Sequence, residues 1–178
     1  YLAFLGRITA LKGIDTIKAI ADYSPWPIVL HGQGDPTPWS HPNIEYRGPI
    51  TGAARSAFLR NARALLAPTV FTEPFCGMAV EAMLCGTPVV SVDYGAMTET
   101  ITEGVTGYRC HTLQDWIDGI NAAGDLDRRI IADTARANLP PAQRPVPQRL
   151  VRGGSNQLPP NRERRRPLRH TPRPVDRH

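Results

Sequence analysis

Two hydrophobic periods alternate along this chain from Leu2 to about Asn138. Short apolar runs, each closed by a glycine, a proline or a polar turn, give way to segments with apolar residues every three to four positions. The runs Leu2 to Gly6, Pro27 to His31, Ile44 to Arg47, Ala64 to Ala67, Pro88 to Val92 and Tyr108 to Cys110 predict six strands. The segments Gly13 to Ala21, Ala53 to Arg63, Gly77 to Leu84, Met97 to Ile101 and Leu113 to Ala122 predict helices, with a last one from Asp127 to about Asn138. Thr112 and Asp115 have the spacing of a capping pair for the fifth helix, and Asp127 is a candidate cap for the sixth. Strands separated by helices require parallel crossovers, so the expected class is α/β: a Rossmann-like parallel sheet with helices on both faces. Such sheets bind ligands beyond the carboxyl ends of their strands. The loops of interest therefore begin at Gly6, Gly32, Gly48, Pro68 and Asp93.

Charge divides the chain at the same place. Residues 1–138 hold 11 basic and 14 acidic side chains, whereas residues 139–178 hold ten arginines, no lysine, two acids and nine of the 18 prolines. The net charge of +5 therefore belongs to the second segment, and the first is mildly acidic. The Pro/Arg-rich segment lacks apolar periodicity and is expected to be a disordered tail, outside a folded domain spanning 1–138. It reads either as an arm for anionic partners or as an out-of-frame translation. An arm selected for charge would also use lysine, so the second reading is preferred and no nucleic-acid partner is expected. The chain opens at Tyr1, directly inside an apolar run, which reads as a fragment of a longer protein. No apolar run approaches the roughly 20 residues of a spanning helix. Three cysteines, Cys76, Cys85 and Cys110, without C-x-x-C spacing, point away from a disulfide framework or a zinc site and towards a reducing, cytoplasmic location.

Chemistry concentrates between Glu73 and Pro88. Glu81 interrupts an otherwise apolar helical stretch, where a charge is costly unless something pairs with it or it reaches solvent at the helix edge. Paired with a ligand, it would accept neighbouring hydroxyls. Glu73 precedes the same helix, either as an acid favoured by the helix dipole or as a second hydroxyl acceptor. The amides of Phe75, Cys76 and Gly77 then fall near a helix N-terminus, where anions bind.

The frame E-P-F-x-x-x-x-x-E-A-M-x-C-G-T-P-V-V, from Glu73 to Val90, resembles the signature of the group 1 glycosyltransferases, also called glycosyltransferase family 4. Four further segments resemble the same family in the same order. They are Gly6-Arg7-Ile8 with Lys12-Gly13, Asn43 to Gly48, Asn61 to Pro68, and Gly95 with Glu99 followed by Glu103 to Tyr108. The resemblance covers Tyr1 to Asn138. It implies one half of a GT-B fold, the C-terminal domain that binds the nucleotide-sugar donor, with the acceptor-binding N-terminal domain missing. It implies retaining transfer of a hexosyl group from a UDP-, GDP- or ADP-sugar, with no metal and no other cofactor. By the same resemblance Glu81 bonds the donor ribose, Glu73 the transferred sugar, and Arg7 and Lys12 the diphosphate. The turns at Gly6 and Gly32 and the amides of Phe75, Cys76 and Gly77 adjoin the donor, and Arg47 to Ile50 lie against the base. The resemblance also leaves room for peripheral membrane association of the full enzyme. The isolated fragment is expected to transfer little or nothing, because closure against a partner domain completes such sites.

The residue types suit those roles. Charge grows on a diphosphate leaving group as the glycosidic bond breaks, and fixed cations with helix-terminal amides oppose it. Arg7 offers a planar fork and Lys12, one of only two lysines, a point charge. Two alternatives stay open: a non-catalytic nucleotide-sugar-binding remnant, and another GT-B enzyme such as a sugar epimerase. Other signals are weak. Gly32-Gln33-Gly34 lacks the third glycine of a dinucleotide fingerprint, and Asp125-Leu126-Asp127 reads as helix capping instead of a metal site. His31, His41 and His111 lack metal-ligand spacing, Cys76 and Cys85 read as small apolar fillers, and Trp26 and Trp39 as core covers.

Overall fold

A computed structural model describes residues 1–138. The expectations for the Pro/Arg-rich segment, 139–178, lie outside the described residues. Six strands form one sheet: β1 (Leu2–Leu5), β2 (Ile28–His31), β3 (Ile44–Tyr46), β4 (Ala64–Ala67), β5 (Val89–Val92) and β6 (Gly107–Cys110). Six α-helices accompany them: α1 (Ile14–Ala21), α2 (Gly52–Asn61), α3 (Gly77–Leu84), α4 (Met97–Thr100), α5 (Leu113–Ala122) and α6 (Arg128–Asn138). The sheet order is β3-β2-β1-β4-β5-β6, and every adjacent pair is parallel. The expected α/β, Rossmann-like class is the class observed.

The strands are apolar throughout because both faces of the sheet are covered. Alternate residues of β1 serve opposite sides. Ala3 and Leu5 join a core with Phe58 and Leu59 of α2, Ala79 and Met83 of α3, Met97 of α4 and Ile131 of α6. Leu2 and Phe4 join the other, with Ile14, Ile17 and Ile20 of α1 and Trp116 and Ile120 of α5. Trp26 and Trp39 pack half-buried against that second core, as expected.

The caps read from the sequence are present. Thr112 Oγ1 accepts the amide of Asp115 at 3.2 Å, while Asp115 Oδ2 accepts the amide of Thr112 at 2.8 Å, a reciprocal capping box for α5. Asp127 Oδ1 accepts the Arg129 amide at 2.8 Å at the start of α6, so the D-x-D sequence supplies a cap there. Short 3-10 turns at Ala10–Lys12, Thr37–Trp39 and Ala123–Asp125 carry no hydrophobic period and were not expected. The first positions the candidate site. It closes through the Gly13 amide donating to the Ala10 carbonyl at 2.8 Å, with Gly13 at φ +77°. A Cβ on Gly13 would stand 1.9 Å from the Pro68 carbonyl oxygen. Only glycine lets the turn lie this close to the end of β4.

Candidate donor-binding site

Three loops are laced together at the carboxyl ends of β1, β2 and β3. The Gly6 amide donates to the His31 carbonyl at 3.0 Å, the Ile8 amide to Gln33 at 2.8 Å, and the Gly32 amide to Gly48 at 3.1 Å. A Cβ on Gly32 would lie 1.6 Å from the Gly6 carbonyl oxygen, so this crossing requires glycine. Above it opens a cavity of about 270 Å³ lined by Gly6 and Arg7, Gly32 and Gln33, Pro49 to Thr51, and Arg55. Arg7 is exposed and pairs with no described residue, so its guanidinium is free to meet an anion. Gly6, Arg7 and Gly32 thus line one cavity.

Lys12 and Glu73 meet one another at the ends of β1 and β4. Their side chains form a largely buried ion pair, and the Lys12 ammonium stands 4.6 Å from the centre of the Phe71 ring. The Glu73 carbonyl accepts the Ala96 amide at 2.9 Å, which ties this loop to the one after β5. A cation suited to phosphate and a carboxylate suited to sugar hydroxyls are therefore held side by side.

Cys76 directly precedes α3 and is the one non-glycine residue with positive φ, +45°, among the described residues. It is buried, which pushes its thiol up to about 11 and makes it an apolar filler, not a nucleophile. The amides of Phe75, Cys76 and Gly77 donate to no described carbonyl or side chain, and Phe75 itself is exposed. They are orphan donors at the start of α3.

Glu81 reaches solvent at the edge of α3 and also has an ion-pair partner. Arg55 of α2 donates from Nε to Glu81 Oε2 at 2.7 Å, and its Nη2 lies 2.7 Å from the same oxygen. Arg55 was not singled out from the sequence. It lies 26 positions before Glu81 on a helix whose buried residues are only Phe58 and Leu59, and no spacing rule joins the two. Arg47 lies outside the cavity. Glu45, two residues earlier on the same face of β3, takes its fork through Nε to Oε1 and Nη2 to Oε2, both 2.7 Å. The residues just after it, Pro49 to Thr51, are the ones that line the cavity. His31 is buried, with Nδ1 2.7 Å from the Gly48 carbonyl and its ring edge-on to Phe58. Among the described residues no group of three or more histidines, cysteines and carboxylates gathers as a metal site would need, and no helix is long and apolar enough to cross a membrane.

A six-stranded parallel sheet in this order, with loops gathered at the carboxyl ends of its strands, defines a Rossmann-like α/β domain. Residues 1–123 match the family described as glycosyl transferases group 1, and the chain belongs to that family. The D-inositol 3-phosphate glycosyltransferase of Rhodococcus erythropolis is 30% identical over 160 residues, covering 78% of this chain and 35% of the relative. The chain thus spans about a third of the length of that relative. Among solved structures it is similar to AviGT4, a glycosyltransferase of avilamycin A biosynthesis, with a TM-score of 0.67 and 22% identity over 77% of this chain and 45% of that one. It is also similar to Anabaena HepE in complex with UDP-glucose, with a TM-score of 0.56 and 19% identity over 75% and 46% of the two chains. The likeness is one of fold: a Rossmann-like domain that corresponds to under half of a GT-B glycosyltransferase.

Proposed function

We propose that this chain supplies the donor-binding half of a retaining glycosyltransferase that uses a nucleotide-sugar, with the acceptor side contributed by an N-terminal domain. The observation that carries this reading is the cavity at the carboxyl ends of β1, β2 and β3, with the unpaired Arg7 in its wall. Family membership and a relative solved with UDP-glucose support it.

In this reading the diphosphate lies against Arg7 and the unpaired amides of Phe75, Cys76 and Gly77. Lys12 shares its charge between the phosphate and Glu73, and Glu73 accepts hydroxyls of the sugar. Glu81 accepts the ribose, and the Pro49 to Thr51 loop borders the base. As the bond to the anomeric carbon breaks, charge collects on the leaving diphosphate. Arg7, Lys12 and the amides would oppose that charge. No metal and no further cofactor enter the scheme.

Calorimetric titration of the chain with UDP, GDP and ADP and their sugar conjugates tests the reading. One nucleotide class is expected to bind, and Arg7→Ala or Lys12→Ala should weaken it about tenfold or more, the scale of one charge-assisted contact. Equal binding of all three by the parent and both variants, or none by a chain shown to be folded, would refute it.

A further inference from the structure

We propose that Arg55 is a positioning residue that sets Glu81 for recognition of a ribose hydroxyl, an inference that rests on the donor-site reading above. The Nε–H of Arg55 donates to one carboxylate oxygen, Oε2, at 2.7 Å, and Nη2 stands 2.7 Å from the same oxygen as an ion-pair contact. The other oxygen, Oε1, has no described partner. Glu81 would otherwise be a half-exposed side chain with several free torsions. A guanidinium that holds one oxygen by a charge-assisted hydrogen bond restricts the rotamers of Glu81 and leaves the second oxygen open to accept a hydroxyl. Ligand binding then requires no ion pair to break.

The place of Arg55 supports this role. It comes from α2, and it lines the same cavity as Gly6, Arg7, Gly32 and Gln33. Arg55 therefore stands at the wall of the cavity, and Glu81 touches it from outside the lining residues. A pair this exposed contributes little to folding. Its effect belongs to recognition, where a carboxylate built to receive a hydroxyl discriminates against ligands that lack one.

The test separates positioning from charge. The whole chain is titrated with UDP, GDP and ADP, and then with the 2′-deoxy form of whichever binds. The parent should prefer the ribonucleotide by about tenfold, the scale of a hydrogen bond to a charged group. Arg55→Met should bring that ratio close to one, as should Glu81→Gln, and the double variant should show no further loss. Arg55→Lys, which keeps the charge without the fork, should retain more of the overall affinity than Arg55→Met while losing most of the ratio. The melting temperature should change by less than about 4 °C in each single variant. A full ratio in Arg55→Met, alongside its loss in Glu81→Gln, would overturn the role of Arg55 and leave the donor site standing. An unchanged ratio in Glu81→Gln, or no nucleotide binding by the folded parent, would overturn both.

Discussion

Burial raises two of the three thiols far above their ordinary value, Cys76 to about 11 and Cys110 to about 12. A thiol that ionises at pH 9 in the unfolded chain but only near pH 12 when folded keeps its proton longer in the native state. The contribution of these thiols is therefore fully present below pH 9 and is lost as pH rises from 9 towards 12. Cys110→Ala should make the decline of melting temperature across that interval shallower than in the parent, as thermal scans at stepped pH would record. An identical slope would mean that Cys110 does not contribute to it. At the left-handed Cys76 the side chain fills the core while the backbone adopts a shape that glycine takes more readily. The sequence showed a small apolar residue there, but φ is set by the loop between β4 and α3 and was not legible.

Helix α5 shows what local sequence can specify. Its apolar residues Trp116 and Ile120 recur at helical spacing, and Thr112 with Asp115 closes its first turn. The bonds from the amides of His111 and Thr112 hold the Asp115 carboxyl below the usual carboxylate range. That contribution is present above the ordinary carboxylate pKa and is lost as pH falls through the lowered one. Thr112→Ala should cost about 1 kcal/mol in denaturant unfolding at neutral pH, the usual value of an N-cap. Most strands and helices were legible in the same way, because each is a periodic run with its own start and stop. The 3-10 turn that carries Lys12 was not. It is held by Gly13 against Pro68 and by the Val70 amide on the Leu11 carbonyl at 3.1 Å, partners some 55 to 60 positions away. The Arg55–Glu81 pair escaped for the same reason, whereas the Glu45–Arg47 pair has the two-residue spacing that puts side chains on one face of a strand and was legible in the sequence.

At the scale of the whole domain, the parallel sheet with two covered faces followed from the alternation of periods, but the order of its strands did not. That order brings Gly6, Gly32 and Pro49 to one rim while Glu73 and Glu81 arrive from the other half of the sheet. It also governs time. β1 lies at the centre, paired on one side with β2 and on the other with β4, where Leu2 meets Ala64 across 62 positions of chain. Closing that interval costs chain entropy before any contact rewards it, so the central seam should form late. In pulse-labelled hydrogen exchange during refolding, amides of β1 and β4 should gain protection in one slow phase; full protection of β1 well before β4 would contradict this. During synthesis the ribosome delivers β1 first and β4 only dozens of residues later. Until then the first apolar strand of the domain waits without one of its two neighbours, the interval in which a nascent chain most needs a chaperone.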